Sequence, residues 1–545
     1  MKAAPHIGNY LIRRLAAHGV RHVFAVPGDY VLGFLHVLDR SDLRVINTCD
    51  EQGAGFAADA YARLRGLGAV CITYCVGGLK VANPTAQAFA EKSPVVVISG
   101  APGARERVKD PLLHHRIRDF DTQFKVFEQL TVASTVLSDP QTACREIDRV
   151  LAAALRYKRP VYIELPRDMV SVPGTVASPP PGSPEASDAE ALREALGEAV
   201  KMINGARKPV VIAGVEVHRF GLQDTLLQLM TKTNLPVAAT VLGKSVIAEH
   251  HARYLGVYEG AMGHEDVRQY VETSDCLILL GAFMSDLNLG VFTARLDQGR
   301  SISVTSEETT IRYHKYEGIR LADFLRGLLA APVSRRESGP IPHPHPPAAF
   351  QPLVGAKVTV QRLFQRLNSF LDDDTVVIAD PGDALFAGVD LFIQSRTEFL
   401  SPAYYTSLGY AVPASIGAQL ANPILRPLVL VGDGAFQMTG MELATAARFK
   451  LNPVVVVLNN RGYTTERPIQ DGRFNDVQLW KYSCIPDVLG AGQGFDVRTE
   501  DQLDVALDAA REYTEGFSIL DVHLDPKDRS PALQRLTASL KKQLK

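Results

Sequence analysis

Short runs of β-branched and other apolar residues recur along the chain. Each is bounded by Gly, Pro or charged residues and followed by a segment whose apolar positions repeat at helical spacing. The first third holds HVFAV (22–26), GAVCITY (68–74), PVVVISG (94–100) and PVYIEL (160–165). The middle third holds KPVVIAG (208–214), LPVAATV (235–241), CLILLG (276–281) and SISVT (301–305). The last third holds TVVIAD (375–380), RPLVLVGDG (426–434), NPVVVVLNN (452–460) and FSILDVHL (517–524). Continuous apolar runs alternating with amphipathic helices predict parallel α/β sheets.

Two stretches interrupt the alternation. Residues 171–187 and 332–352 are rich in Pro, Ser and Gly and read as linkers. They divide the chain into domains at 1–170, 188–331 and 353–545. His343 and His345 lie in the second linker, where an extended, exposed backbone gives them no convergence on a metal. The first and third domains echo one another. VPGDYVLGF (26–34) matches DPGDALFAG (380–388) at an offset of 354, and GAGFAADA (53–60) matches SLGYAVPA (407–414) at the same offset. AFAEKSPVVVIS (88–99) matches ARFKLNPVVVVL (447–458) at an offset of 359. Conserved order with a shifting offset indicates two copies of one fold separated by small insertions.

Composition narrows the function classes. A length of 545 residues fits about three domains. Apolar residues make up 46% and charged residues 22%, as in proteins with large cores. The net charge of −2 gives no electrostatic footprint for nucleic acid or an anionic membrane. The six cysteines are scattered without a CxxC, which indicates neither a zinc site nor a disulfide framework and fits a reducing compartment. IGNYLIRRLAAHGV (7–20) reads as an amphipathic helix rather than a signal peptide, and no apolar run has the length of a membrane span. A soluble, cytoplasmic protein is expected.

The segment from Gly432 to Asn460 carries the most specific chemistry. A strand delivers Gly432-Asp433-Gly434 at its C-terminal end, a helix-period segment follows, and a second strand delivers Asn459-Asn460 at its own C-terminal end. Ligands of open parallel sheets bind at that edge. The glycines allow close backbone approach to a bulky anion, and the N–H groups of a new helix suit phosphate. Asp433 and Asn460 offer hard oxygen donors suited to Mg2+ shared with phosphate oxygens.

This stretch resembles the cofactor signature of thiamine-diphosphate enzymes. Over nearly its whole length the chain resembles their 2-oxo acid decarboxylases, which include pyruvate, indolepyruvate, phenylpyruvate and branched-chain types. The resemblance implies an α/β chain of three parallel-sheet domains. The first and third would be homologous cofactor-binding folds and the middle one Rossmann-like. It implies that Asp433, Asn460 and the Gly462 carbonyl hold Mg2+. Thr406, Gly432, Gly434, Ala435 and Tyr463 would line the cofactor, and Leu408 in TSLGYAVPA would bend it into a V shape. Glu51, in CDEQGAGFAADAYAR, would bond the pyrimidine N1′. Asp29 in PGDY, the adjacent pair His114-His115 in HHRIRDFDTQF, and Glu466 in NNRGYTTE would form the acid/base set.

The implied chemistry accounts for these residue types. Loss of CO2 from a 2-oxo acid leaves electron density that a cofactor must accept, while the protein supplies orientation and charge. Protonation and aldehyde release then need groups that titrate near neutral pH, and neighbouring histidines and carboxylates perturb one another. Taken singly, Glu51 would be a helix-start charge, Asp29 a turn residue and Glu466 a solvated loop acid. Together, in this order, they match the family's set.

Two positions depart from the family pattern. Ala435 stands where several members have a serine against the diphosphate. Thr465 stands where pyruvate-specific members have isoleucine, which predicts a roomier pocket, with Ile469 as a further wall if 464–469 is helical. The expected substrate is therefore a small-molecule 2-oxo acid larger than pyruvate, whether aromatic, branched or long aliphatic. An acetolactate-synthase-like carboligase and a catalytically silent binding subunit are the alternatives. The middle block has no GxGxxG, which speaks against NAD and leaves FAD open by motif. Since Glu51 and the Mg2+ ligands lie in different domains, the resemblance implies a homodimer or a dimer of dimers, with sites at a subunit boundary.

Overall fold

Every apolar run read above as a strand becomes one, in three sheets. The computed structural model describes residues 4–176, 186–337, 339–393 and 398–543. Within the two expected linkers, residues 177–185 and 338 lie outside the described residues.

The first sheet runs Arg44–Asn47, His22–Ala25, Gly68–Ile72, Val95–Ala101, Val161–Pro166, Ala133–Val136 in space, all parallel. The third runs Glu398–Leu400, Thr375–Ala379, Arg426–Gly432, Val454–Asn459, Ser518–His523, Gln493–Val497, also all parallel. Within each domain the order is second, first, third, fourth, sixth, fifth strand. The shared topology bears out the internal repeat. Helices cover both faces of these sheets, so their inner strands are buried and mostly apolar; all seven residues of Val95–Ala101 are buried, Ser99 included.

The middle sheet differs from the wholly parallel expectation. Five of its strands are parallel, but Thr309–Ile311 and His314–Tyr316 add an antiparallel hairpin at one edge. Parallel neighbours need a long crossover, and only residues 305–308 separate Ser301–Val304 from the next strand. His343 also departs from expectation. It is half-buried, with Nδ1 2.9 Å from the Tyr254 carbonyl oxygen, because the segment lies along the edge strand Tyr254–Val257.

Two helices join the outer domains. Glu51–Arg65 starts at Asp50, whose side chain accepts the Gln52 N–H, and ends at Gly66 with φ +93°. It packs on Ala411–Ala421, its counterpart in the repeat. Small residues let the two backbones approach closely: a Cβ on Gly417 would fall 1.9 Å from the Ala57 carbonyl oxygen. Beside this seam a buried Arg63 pairs with Asp59 and Glu91, both at 2.8 Å. Glu91 also accepts the N–H groups of Tyr404 and Tyr405, which ties the loop leading to Thr406 and Leu408 to the first domain. No described helix is long and apolar enough to cross a membrane.

Candidate active site

A cavity of about 300 Å³ opens at the C-terminal ends of the third sheet's strands. Thr406 and Leu408 form one side, and Gly432 to Ala435 form the floor where a strand runs into a helix. Asn460, Gly462 and Tyr463 follow the neighbouring strand, with Thr465, Glu466 and Ile469 beyond them. All the residues expected to contact the diphosphate, the metal and the substrate's side chain thus surround one space. Two local details differ from expectation. The segment after Asp433 is a broken helix, Asp433–Thr439 then Leu443–Arg448, with a 3-10 turn at Gly440–Glu442 between them. Residues 464–469 form successive turns rather than a helix, yet the Ile469 N–H donates to the Glu466 carbonyl at 2.9 Å, which carries Ile469 to the cavity wall.

The floor has the electrostatics of a cation site. Asp433 is 1% exposed; its Oδ1 accepts from the Gly434 N–H at 2.7 Å and its Oδ2 from the Gly462 N–H at 3.1 Å. Burial pushes its carboxyl up to about 6, against those hydrogen bonds. Asn460 Oδ1 is buried without a hydrogen-bond partner. Gly462 turns through φ +147°, which bends the chain around Asp433. An under-compensated carboxylate beside an orphaned amide oxygen is a donor set that a hard divalent ion satisfies, so these residues fit Mg2+. The loop above is braced from below. Asp380, fully buried and pushed up to about 7 by burial, accepts the Gly409 and Ala411 N–H groups at 2.9 Å each, just past Leu408.

A second group assembles in the first domain. His114 Nε2 lies 2.8 Å from Asp29 Oδ2, and the His114 and His115 rings meet edge-on at 4.8 Å. Tyr30 stacks on His114 at 4.8 Å and donates its hydroxyl to the His114 carbonyl at 3.2 Å. Arg167 reaches Asp29 at 3.8 Å and lies over the Tyr30 ring. His115 takes φ +67°, and its Nδ1 is buried without a partner. The histidines ride on turns, with Val108 and Leu112 exposed on the same segment.

Glu51 begins the helix at the domain seam. Glu442, from the third domain, accepts the Cys49 and Asp50 N–H groups at 3.2 and 3.0 Å and so fixes the approach to Glu51. Neither Glu51 nor the Asp29–His114–His115 group lines the cavity of its own chain. The expected site residues therefore fall into two clusters.

Sequence reasoning missed several walls of the cavity: Pro381, Gly382, Asp383 and Phe386, Leu287 from the middle domain, and Leu536 from the helix Pro531–Gln543. Asp383 accepts the Ser530 N–H at 2.9 Å and its hydroxyl, which anchors that helix. The repeat held a signal for Asp383, since the offset of 354 maps Asp29 onto it. Nothing local points to Leu287 or Leu536.

Three family models match the chain. A thiamine pyrophosphate enzyme N-terminal TPP binding domain matches residues 5–124, the central domain of the same enzymes matches 196–330, and their C-terminal TPP binding domain matches 383–522. Indole-3-pyruvate decarboxylase of Azospirillum brasilense is 36% identical over 540 residues, covering 98% of each chain. An alpha-keto-acid decarboxylase of Mycobacterium leprae is 35% identical, covering 98% of this chain and 96% of its own. A protein named probable pyruvate decarboxylase of Schizosaccharomyces pombe is 32% identical, covering 97% and 94%.

Proposed function

The chain belongs to the thiamine-diphosphate-dependent 2-oxo acid decarboxylases, and from that premise we propose that it releases CO2 and an aldehyde, without oxidation, from a 2-oxo acid larger than pyruvate. One observation carries the reading. Asp433, Asn460 and Gly462 line the same cavity as Thr465 and Glu466, so the metal-binding groups and the substrate-facing groups share one space.

In this reading Asp433, Asn460 and the Gly462 carbonyl hold Mg2+ against the diphosphate. Leu408 supports the cofactor from the side. Thiamine diphosphate, when bound, supplies the electron sink that CO2 loss requires. Glu51 holds a proton at the pyrimidine N1′. Glu466, on the cavity wall, would handle the proton at CO2 departure, and Asp29, His114 and His115 would hold and move protons for aldehyde release. Ala435 leaves out one hydroxyl contact to the diphosphate. The domain boundaries 1–170, 188–331 and 353–545 are part of the reading, supported by the family matches that fall within them. So is a cytoplasmic location, supported by six free cysteines.

The two clusters call for a second copy. A twofold axis would bring each chain's Glu51 and His114-His115 to its partner's cavity. Val76 and Leu79 near Glu51, and Met438 and Met441 beyond Asp433, are exposed in one chain and suit an apolar interface. The active species should be a homodimer or a dimer of dimers. Sedimentation at assay concentration is expected to show no fully active monomer; such a monomer would end this part of the proposal.

The substrate is tested with a panel of 2-oxo acids, scoring CO2 and free aldehyde together. Aromatic, branched or long aliphatic acids should exceed pyruvate in kcat/KM by about 10- to 200-fold, the range one methylene of fit commands in an apolar pocket. Thr465→Ile should shift preference toward pyruvate. A wild-type preference for pyruvate would refute the size argument. Predominant carboligation product would favour an acetolactate-synthase-like enzyme, and cofactor binding without turnover would favour a silent binding subunit.

A further inference from the structure

Glu51 has a cationic neighbour from its own domain. The chain turns after Gly68–Ile72, and Lys80 at the end of that turn reaches back to the head of the Glu51–Arg65 helix. Its ammonium lies 2.7 Å from Glu51 Oε2 and also pairs with Asp50 Oδ2. The other Asp50 oxygen caps the helix at the Gln52 N–H, 2.8 Å away. Gly77 lies beside the other carboxylate oxygen, where a Cβ would stand 3.1 Å from Oε1. The acid side chain is only 12% exposed and the lysine 48%. An enclosed carboxylate with no cation is costly, and a hydrogen bond to one ring nitrogen needs one orientation of the carboxylate. Lys80 and the Gly77 wall meet both needs. Burial lowers the proton affinity of the ammonium, but its bonds to Asp50 and Glu51 prevail and raise it, so Lys80 stays charged.

We propose that Lys80 is the positioning residue for Glu51, fixing the orientation in which the Glu51 carboxylate meets the pyrimidine ring of thiamine diphosphate. The proposal rests on the reading of Glu51 given above and adds the group that aims it. Lys80 touches neither substrate nor reacting atoms in this role.

The test is a calorimetric titration of the cofactor-free, full-length protein with Mg2+ and one of two ligands. One is thiamine diphosphate; the other is its analogue with a C–H in place of the pyrimidine N1′. Lys80→Met should bind thiamine diphosphate about tenfold more weakly, the scale of one charged hydrogen bond, and bind the analogue as wild type does. Lys80→Arg should recover most of the preference. Lys80→Gln serves in the same way should Lys80→Met not fold. Equal weakening toward both ligands would mark a merely structural lysine and overturn the proposal. If Glu51→Gln abolishes the preference for N1′ while Lys80→Met keeps it, the Lys80 assignment falls and Glu51 stands. If Glu51→Gln keeps the preference, the Glu51 reading itself falls, and the Lys80 proposal with it.

Discussion

Asp433→Ala is expected to abolish cofactor retention and with it activity. Asp433 supplies the one carboxylate expected among the metal ligands, and it is almost wholly enclosed. Its removal leaves Asn460 Oδ1 and a backbone carbonyl, neither of which carries charge. Metal affinity should fall by more than the ~100-fold typical of losing an outer-shell partner. Excess Mg2+ and thiamine diphosphate should not restore turnover. A direct check is thermal unfolding with and without both ligands. Wild type should gain stability from saturating ligand by mass action, and the variant should gain none. Without ligand the two should unfold at similar temperatures. Alanine loses two backbone hydrogen bonds but also relieves a carboxylate that burial pushes up to about 6. Full activity in Asp433→Ala, with cofactor still bound, would refute the metal assignment.

Glu466→Gln and the histidine variants should fail differently. Glu466 lies on the cavity wall two residues past Thr464, on the chain that leaves the Asn460–Gly462 turn. If it acts at CO2 departure and protonation, Glu466→Gln should lower kcat and kcat/KM together, by about 100-fold or more, as for a group acting in the transition state. His114 and His115 sit in the other cluster, tied to Asp29 and stacked on Tyr30. His114→Ala or His115→Ala should let CO2 leave but delay aldehyde release. Added aldehyde should then capture more of the unreleased product, raising carboligation product per CO2. Quenched-flow NMR of the cofactor-bound species separates the cases. Equal distributions in the glutamate and histidine variants would sink this division of labour, though not the decarboxylase reading.

The inner strands of all three sheets were legible because a strand covered on both faces is a nearly continuous apolar run, interrupted only by a few partnered polar groups such as Glu164 and Asp521. The strands that were missed lie at sheet edges or in the terminal hairpin. Arg44–Asn47, Ala133–Val136 and Gln493–Val497 are short and only partly buried, so their sequences lack a continuous apolar run. Glu398–Leu400 is only three residues long, and Tyr254–Val257 carries a glycine at an irregular pairing. An edge strand is made by the neighbour that offers it hydrogen bonds, which its own residues do not announce.

The same division holds for the site. Asp433 and Asn460 were readable because they directly follow adjacent parallel strands, paired Gly432 to Leu458, so spacing along the chain becomes proximity in space. The internal repeat, the three-domain order and the oxygen-donor character of the Asp433–Asn460 corner were therefore determined by sequence alone. Only the tertiary structure decided that Lys80 grips Glu51, that Glu442 braces the approach to it, and that Asp380 holds the Leu408 loop from a fully buried position. It also decided that Leu287 and Leu536 close the cavity. Each of these joins segments far apart in the chain through side chains whose types are common anywhere. Their roles come from where packing of the Glu51–Arg65 and Ala411–Ala421 helices and docking of the C-terminal helix place them, and no local periodicity encodes that.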